Sequence, residues 1–253
     1  MNTTYYRLEL RRILRDRTTL FFTLALPAFL FVLIGATPDY AADEVGDGNV
    51  AMWMMIAMAA YGAVTATTSV GGSTALERMQ GWGRQLGLTP MRDHEFIVVK
   101  AAVAMTVALG AVVTVYTVGF LTGAEAPLAV WFGSGALLIA GAVTFAFYGL
   151  NFGLAFRSEA AVSAAAGFLV ILAFLGNLFI PLGGWQLTAA KFTPLYGYVA
   201  LARRPLTGGG SLDPDTGDLV DEPLWQVLAN LGVWTLALGA LAVMLVARGR
   251  ERQ

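Results

Sequence analysis

The chain has 253 residues, of which 57% are hydrophobic and only 13% are charged, and its formal net charge is −1. An average soluble globular protein has roughly 25% charged residues, so this composition argues against a soluble domain. The absence of cysteine excludes disulfides and thiolate metal sites. The basic residues are too scattered to form a footprint for nucleic acid.

The first predicted element is a basic amphipathic helix at residues 4–17. Its apolar residues recur at helical spacing and its arginines fall on the opposite side. The apolar set is Tyr6, Leu10, Ile13 and Leu14, and the basic set is Arg7, Arg11, Arg12 and Arg15. A helix of this kind lies in the plane of the lipid headgroups. The alternative is a solvated basic tail that only sets the membrane topology.

Six windows of the sequence contain no charged residue, at 18–38, 50–76, 101–124, 126–156, 160–190 and 223–247. A helix needs about 20 residues to cross a bilayer, and a charge at its centre costs at least about 2.5–3.5 kcal/mol. We therefore predict an all-α polytopic membrane protein, with one domain over residues 1–253. The six predicted transmembrane spans are about 18–37, 50–73, 101–123, 128–155, 160–182 and 224–247.

Two spans contain residues that modify a plain apolar helix. Pro27 is expected to kink the first span, because proline removes a helical hydrogen bond. The second span ends in a polar run before two glycines. Its polar side chains either line a cavity or bond back to carbonyl groups of their own helix. The run consists of Thr65, Thr67, Thr68 and Ser69.

The segment at residues 74–92 joins the second and third spans. Thr74 and Glu77 have the spacing of a capping box that starts a short amphipathic helix. Gly87 is expected to end that helix, and Thr89 with Pro90 to begin the next one. A short helix with a small apolar face and a tryptophan suits a groove on a partner protein. A helix that lies on the membrane surface without a partner fits the same residues.

The distribution of charge predicts how the chain crosses the membrane. The loops on one side of the six spans carry 5, 4, 1 and 3 Lys+Arg, and the loops on the other carry 0, 0 and 3. The positive-inside rule then places both termini in the cytoplasm. Between the fifth and sixth spans we expect one or two short outer helices, followed by an exposed Gly/Asp-rich loop at 207–221.

Several catalytic motifs are absent from the sequence. Neither Lys100 nor Lys191 stands in a Gly-Lys-Ser/Thr sequence, so the chain has no P-loop of its own. The single histidine, His94, lacks the second histidine of a zinc protease motif and is interpreted as a solvated residue. The spans carry no ionisable residue, which disfavours a proton- or sodium-coupled carrier without excluding it. The chain is therefore not expected to be an enzyme.

Two sets of residues resemble the type-2 permeases of ATP-binding-cassette (ABC) transporters, a family of drug, polysaccharide and lipid exporters. The first set lies after the second span and comprises Leu76-Glu77-Arg78, Gly81-Trp82, Arg84-Gln85-Leu86 and Thr89-Pro90-Met91. The second precedes the last span and comprises Pro181, Trp185, Thr193-Pro194 and Ala202-Arg203. Each match is loose, but their order and placement within the six spans resemble the family along the whole chain.

The resemblance implies a coupling helix that docks on a separate ABC ATPase, which would bind ATP and Mg. The residues at that contact would be Glu77, Arg78, Trp82, Arg84, Gln85, Leu88, Thr89 and Pro90. The interfacial helix, with Arg7, Leu10, Arg11 and Leu14, would lie beside them. A second copy of the chain, or a related permease, would complete the exporter. The substrate path between the two would be lined by Thr65, Thr67, Thr68, Ser69 and Asn177.

The predicted function is therefore the transmembrane subunit of an ABC exporter in a cell membrane, expected to be a bacterial plasma membrane. Because the predicted spans carry no charge, an amphipathic or hydrophobic substrate is expected, such as a drug, an antibiotic or a lipid. The alternative is an ATP-independent secondary carrier or channel. Co-purification of an ATPase through residues 73–92 distinguishes the two.

Overall fold

The computed structural model describes residues 2–77, 93–156 and 158–250. Helix α1 spans Thr3–Arg15, and Asn2 caps it by accepting a 3.1 Å hydrogen bond from the Tyr5 amide. Asp16 ends α1 and caps the next helix through the amides of Thr18 and Thr19. Helix α2 then spans Arg17–Ala36.

Helix α2 is apolar and carries two π-helical stretches, at Phe21–Ala25 and Val32–Ala36. Pro27 lies between them, inside an α-helical turn at Leu26–Phe31. Wider, π-helical turns therefore lie on either side of Pro27, and the helix continues through it; the kink expected at Pro27 stays a prediction.

Four further helices follow a short hairpin. Strand β1, Glu44–Val45, pairs antiparallel with β2, Gly48–Asn49. The helices after it are apolar because the sequence confines charge to their ends. They are α3 (Val50–Glu77), α4 (Asp93–Leu121), α5 (Leu128–Phe156) and α6 (Glu159–Leu175).

Two short helices and a second hairpin separate α6 from the last helix. Helix α7 spans Gly184–Ala190 and α8 spans Pro194–Thr207. Strands β3 (Gly210–Leu212) and β4 (Leu219–Asp221) pair antiparallel, with Ser211 opposite Val220. Helix α9, Leu224–Arg250, completes the described chain.

Helix α3 is the centre of the bundle. Its most apolar 18-residue window is 94% buried, whereas the corresponding window of α9 is 17% buried. The other helices therefore surround α3, and their exposed apolar faces are available to lipid. Because α3 has 28 residues, it is about 42 Å long. Its Asn49 end lies against the first hairpin, and Glu77 at its other end pairs with Arg12 of α1.

Helices α3 and α5 approach each other closely, through glycine. A Cβ added to Gly149 would lie 2.0 Å from the Thr68 carbonyl oxygen, and one added to Gly71 would lie 2.2 Å from the Ala146 carbonyl oxygen. The Thr68 hydroxyl also donates across the contact to the Phe145 carbonyl at 3.3 Å. Small residues allow this packing, as in many membrane helix pairs.

We expect Gly149→Ala to destabilise the protein by about 1–3 kcal/mol, because the added methyl group forces two helix backbones apart. The matched control is Gly167→Ala on α6, where an added Cβ meets nothing within 4 Å. That change is expected to be neutral or slightly stabilising, since alanine favours the helix. Chemical unfolding of both variants in detergent provides the measurement; equal effects would contradict the close contact.

Five described helices are long and apolar enough to cross a membrane, and a sixth, Ala160–Leu175, is shorter. The span predicted at 160–182 therefore ends as a helix at Leu175, after which Gly176 and Asn177 turn the chain. The capping box predicted at Thr74 and Glu77 is wrong. Helix α3 continues to Glu77, and the Thr74 hydroxyl donates to the Val70 carbonyl within it.

Candidate functional site

A buried group of ionised side chains lies where α1, α3 and α4 meet. The Lys100 ammonium lies 2.5 Å from a carboxylate oxygen of Glu9 and 2.5 Å from one of Glu77. Arg12 also pairs with Glu77, and its guanidinium lies 3.6 Å from Glu9. We call Glu9, Arg12, Glu77 and Lys100 the charge cluster.

Aromatic and polar contacts hold α1 on α4 beside the charge cluster. The rings of Tyr5 and Phe96 stack with centroids 6.0 Å apart. The Tyr6 hydroxyl and the Thr106 hydroxyl are 2.8 Å apart and share a hydrogen bond. Ile13 is buried on the same side of α1. These contacts orient α1 so that Glu9 points at Lys100.

The charge cluster is electrically balanced, with two carboxylates and two cations. The side chains of Glu9, Glu77 and Lys100 are only 6%, 9% and 5% exposed, so they are shielded from water. Burial would lower the pKa of Arg12, but its hydrogen bond and charge interaction with Glu77 raise that pKa instead. Burial, followed by the nearby carboxylates, raises the pKa of Tyr5 above its usual value. Arg12 therefore stays charged, and Tyr5 stays neutral.

The cluster joins the two ends of one segment of chain. Glu77 is the last described residue of α3, and Lys100 is the eighth residue of α4. Residues 78–92 connect them. Because α1 contacts both Glu77 and Lys100, it holds the two ends of that segment together. This arrangement could transmit a displacement of the segment to three helices at once.

Of the predicted coupling residues, the structure places Glu77 in the charge cluster. The other seven lie outside the described residues: Arg78, Trp82, Arg84, Gln85, Leu88, Thr89 and Pro90. Of the predicted interfacial residues, Leu10 is half-buried, and Arg7, Arg11 and Leu14 are exposed. The side of α1 that packs on the bundle is centred on Glu9 and Ile13.

Glu9 and Lys100 are ion-pair partners that the sequence did not predict. Glu9 is the single acid among the arginines of α1, and Lys100 stands alone at the edge of an apolar window. A lone opposite charge in each segment was the available signal. It could not be used, because 91 positions separate the two residues.

The polar run proposed for the substrate path is mostly buried inside the bundle. Thr65 donates to the Tyr61 carbonyl at 2.8 Å, and Thr67 donates to the Ala63 carbonyl at 3.0 Å. These bonds match the alternative in which the hydroxyls satisfy their own helix. Thr68 bonds across to α5, and Ser69 is half-buried.

A second polar group lies at the Asn49 end of α3. Arg203 on α8 is buried, and it donates hydrogen bonds to the carbonyls of Asn177 at 2.7 Å and Leu178 at 2.8 Å. Its guanidinium carbon lies 3.4 Å from the centroid of the Trp53 ring. We call Trp53, Asn177, Leu178 and Arg203 the arginine clamp. It ties α8 and the turn after α6 to the start of α3.

Asn177, which was also predicted to line the substrate path, has a structural role in this clamp. Its φ of 60° lies in the left-handed region, which asparagine tolerates better than most residues. Its side chain accepts from the Leu182 amide at 2.9 Å and donates to the Ser211 hydroxyl at 3.2 Å. A cavity of about 20 Å³ lies beside it and Arg203.

The fold and these two polar groups define an all-α, membrane-spanning protein whose side chains at the two ends of α3 fix helix positions. Among the described residues, no group of three or more His, Cys, Asp or Glu is arranged to hold a metal ion. No family model matches the chain.

The sequence is 23% identical to a protein of Bacillus subtilis (strain 168) named "Putative transport permease YvfS". The similarity extends over 176 residues, which are 68% of this chain and 71% of the relative. Together with the apolar helical fold, it indicates a membrane transport subunit.

Proposed function

We propose that the chain is the transmembrane subunit of an ABC exporter of type 2, driven by a separate ATPase that binds ATP and Mg. The observation that carries the proposal is the charge cluster, which joins both ends of residues 78–92 to α1. The motifs that resemble the family's coupling helix fall in that segment. The named permease relative supports the transport part of the proposal.

The proposed mechanism uses the charge cluster as a rigid joint. When ATP closes the ATPase subunits, the segment docked on them moves, and its two ends displace α3 and α4 together with α1. ATP binding can shift the permease only by the difference in its interaction with the two states. A rigid joint serves this purpose because it does not absorb the displacement locally.

The remaining parts of the proposal concern orientation and assembly. The 5, 4, 1 and 3 Lys+Arg of one set of loops, against 0, 0 and 3 of the other, support cytoplasmic termini in a bacterial plasma membrane. A second copy or a related permease would complete the path for an amphipathic or hydrophobic substrate. Ser69 suits that path best, since it is half-buried within one copy whereas Thr65, Thr67 and Thr68 are buried.

We expect Arg84→Glu to abolish ATP-dependent efflux and co-purification of the ATPase, while the protein still inserts in the membrane. A reversed charge at a docking surface places like charges together, which costs several kcal/mol. Arg248→Glu, at an exposed position near the end of α9, is the matched control and is expected to keep both activities. Gly81→Pro should resemble Arg84→Glu, because proline breaks a helix.

Efflux assays on cells that express the chain with its ATPase, and affinity purification from their membranes, provide the measurements. Normal efflux and normal co-purification in Arg84→Glu would contradict the coupling assignment. Efflux by the purified chain in vesicles without any ATPase would favour the alternative, a secondary carrier or channel.

A further inference from the structure

Three arginines form a ridge on the side of α1 that faces away from the bundle. Arg7, Arg11 and Arg15 are spaced four residues apart, so they lie one above another on a helix. All three are exposed. The opposite side of the helix holds Glu9 and Ile13. We call these three residues the arginine ridge.

The positive charge of the arginine ridge is not neutralised within the described part of the chain. Across residues 2–77, 93–156 and 158–250, the ion pairs of α1 involve only Glu9 and Arg12, and none of the three ridge arginines. Like charges four residues apart repel and weaken an isolated helix. An external anion would remove this repulsion.

Exposed apolar residues accompany the ridge. Leu8 is 61% exposed and Leu14 is 55% exposed, and on the helical projection they flank the arginines on either side. Phe21 and Phe22, at the start of α2, are 53% and 50% exposed. Because α2 is apolar enough to cross a membrane, the short connection at Asp16 keeps α1 close to the bilayer surface. A helix face that combines arginines with exposed leucines, close to the bilayer surface, is better suited to contact lipid than to contact a partner protein in water.

We propose that the arginine ridge binds the phosphate headgroups of anionic phospholipids, so that α1 recruits these lipids around the charge cluster. Guanidinium groups match phosphate oxygens with paired hydrogen bonds. Each basic residue close to an anionic membrane contributes about 1 kcal/mol, which is about fivefold in affinity. The inference concerns lipid binding by this chain alone and holds whether or not an ATPase drives it.

The test is lipid competition around a single label on the full-length protein in vesicles. The chain lacks cysteine, so Thr4→Cys, at an exposed position on the ridge side, carries one fluorophore. Headgroup-labelled phosphatidylglycerol and headgroup-labelled phosphatidylcholine serve as quenchers. At low ionic strength we expect phosphatidylglycerol to quench at a lower mole fraction, and we expect salt to reduce the difference.

Replacing Arg7, Arg11 and Arg15 by glutamine should remove the preference, by about fivefold for each arginine. Replacing all three by lysine should keep most of it, which controls for folding. Arg248→Gln should leave the preference unchanged. Equal quenching by both lipids in the unmodified ridge, or a preference that survives in the glutamine variant, would overturn the proposal. So would a glutamine variant that loses the ATPase but not the lipid preference.

Discussion

Lys100→Met is expected to destabilise the protein by about 3–5 kcal/mol, because it leaves two buried carboxylates without their shared cation. Glu9 and Glu77 each lie 2.5 Å from the Lys100 ammonium. Arg12 still pairs with Glu77, whereas Glu9 keeps only the more distant contact with Arg12, at 3.6 Å, and so loses most. Chemical unfolding in detergent measures the loss, and transport is expected to fall with it because α1 loses its ionic contact with α4.

A double mutant distinguishes the ion pair from general damage to packing. Glu9→Gln combined with Lys100→Met removes both the cation and the carboxylate that it leaves behind, so it should be more stable than Lys100→Met alone. Arg248→Met is the exposed control and is expected to change the stability by no more than about 0.5 kcal/mol. If the double mutant were as unstable as the sum of its single mutants, the two residues would not be acting as a pair.

Arg203→Met is expected to cost about 2 kcal/mol or more, in spite of removing a buried charge. The substitution leaves the carbonyls of Asn177 and Leu178 without their donor, at about 1–3 kcal/mol for each buried group. It also removes the contact with the Trp53 ring, which lies 3.4 Å from the guanidinium carbon and is worth about 2 kcal/mol when desolvated. The substitution also removes the cost of desolvating a buried cation that has no carboxylate partner among the described residues, and this gain offsets part of the loss.

This prediction depends on the planar guanidinium of Arg203, which donates to two carbonyls at once. Arg203→Lys keeps the charge but cannot reach two carbonyls in one plane, so it should also be destabilised. Arg204→Met is the neighbouring control. Arg204 is half-buried and donates one hydrogen bond to the Glu222 carbonyl, at 3.1 Å, so its loss should cost less than about 1 kcal/mol. Wild-type stability in Arg203→Lys would show that charge, not geometry, matters.

The sequence predicted the long helices because their cause is local. A window of more than 20 residues without charge predicts each of α2, α3, α4, α5 and α9. Such a window can be recognised from consecutive residues alone. The end of α6 was not predicted. Asn177 turns the chain with a left-handed φ of 60°, and this turn is held by Arg203, which lies 26 positions away. No local pattern contains that bond.

The charge cluster was missed for the same reason. Glu77 has the spacing of a helix cap after Thr74, and only the position of Lys100 and Arg12 in space shows that it is an ion-pair partner at a helix end. The buried character of Glu9 depends on which side of α1 meets α4. The stacking of Tyr5 on Phe96 fixes that side, and the arginine-rich composition of α1 does not indicate it.

Cysteine accessibility tests the central proposal most directly, namely that the segment after α3 is presented to a cytoplasmic motor. Trp82→Cys and Asp215→Cys place single thiols in the otherwise cysteine-free chain, one in that segment and one in the hairpin loop before α9. With a membrane-impermeant maleimide, the proposal predicts that intact cells label residue 215 and not residue 82, and that inverted vesicles reverse the pattern. Labelling of residue 82 in intact cells would contradict it.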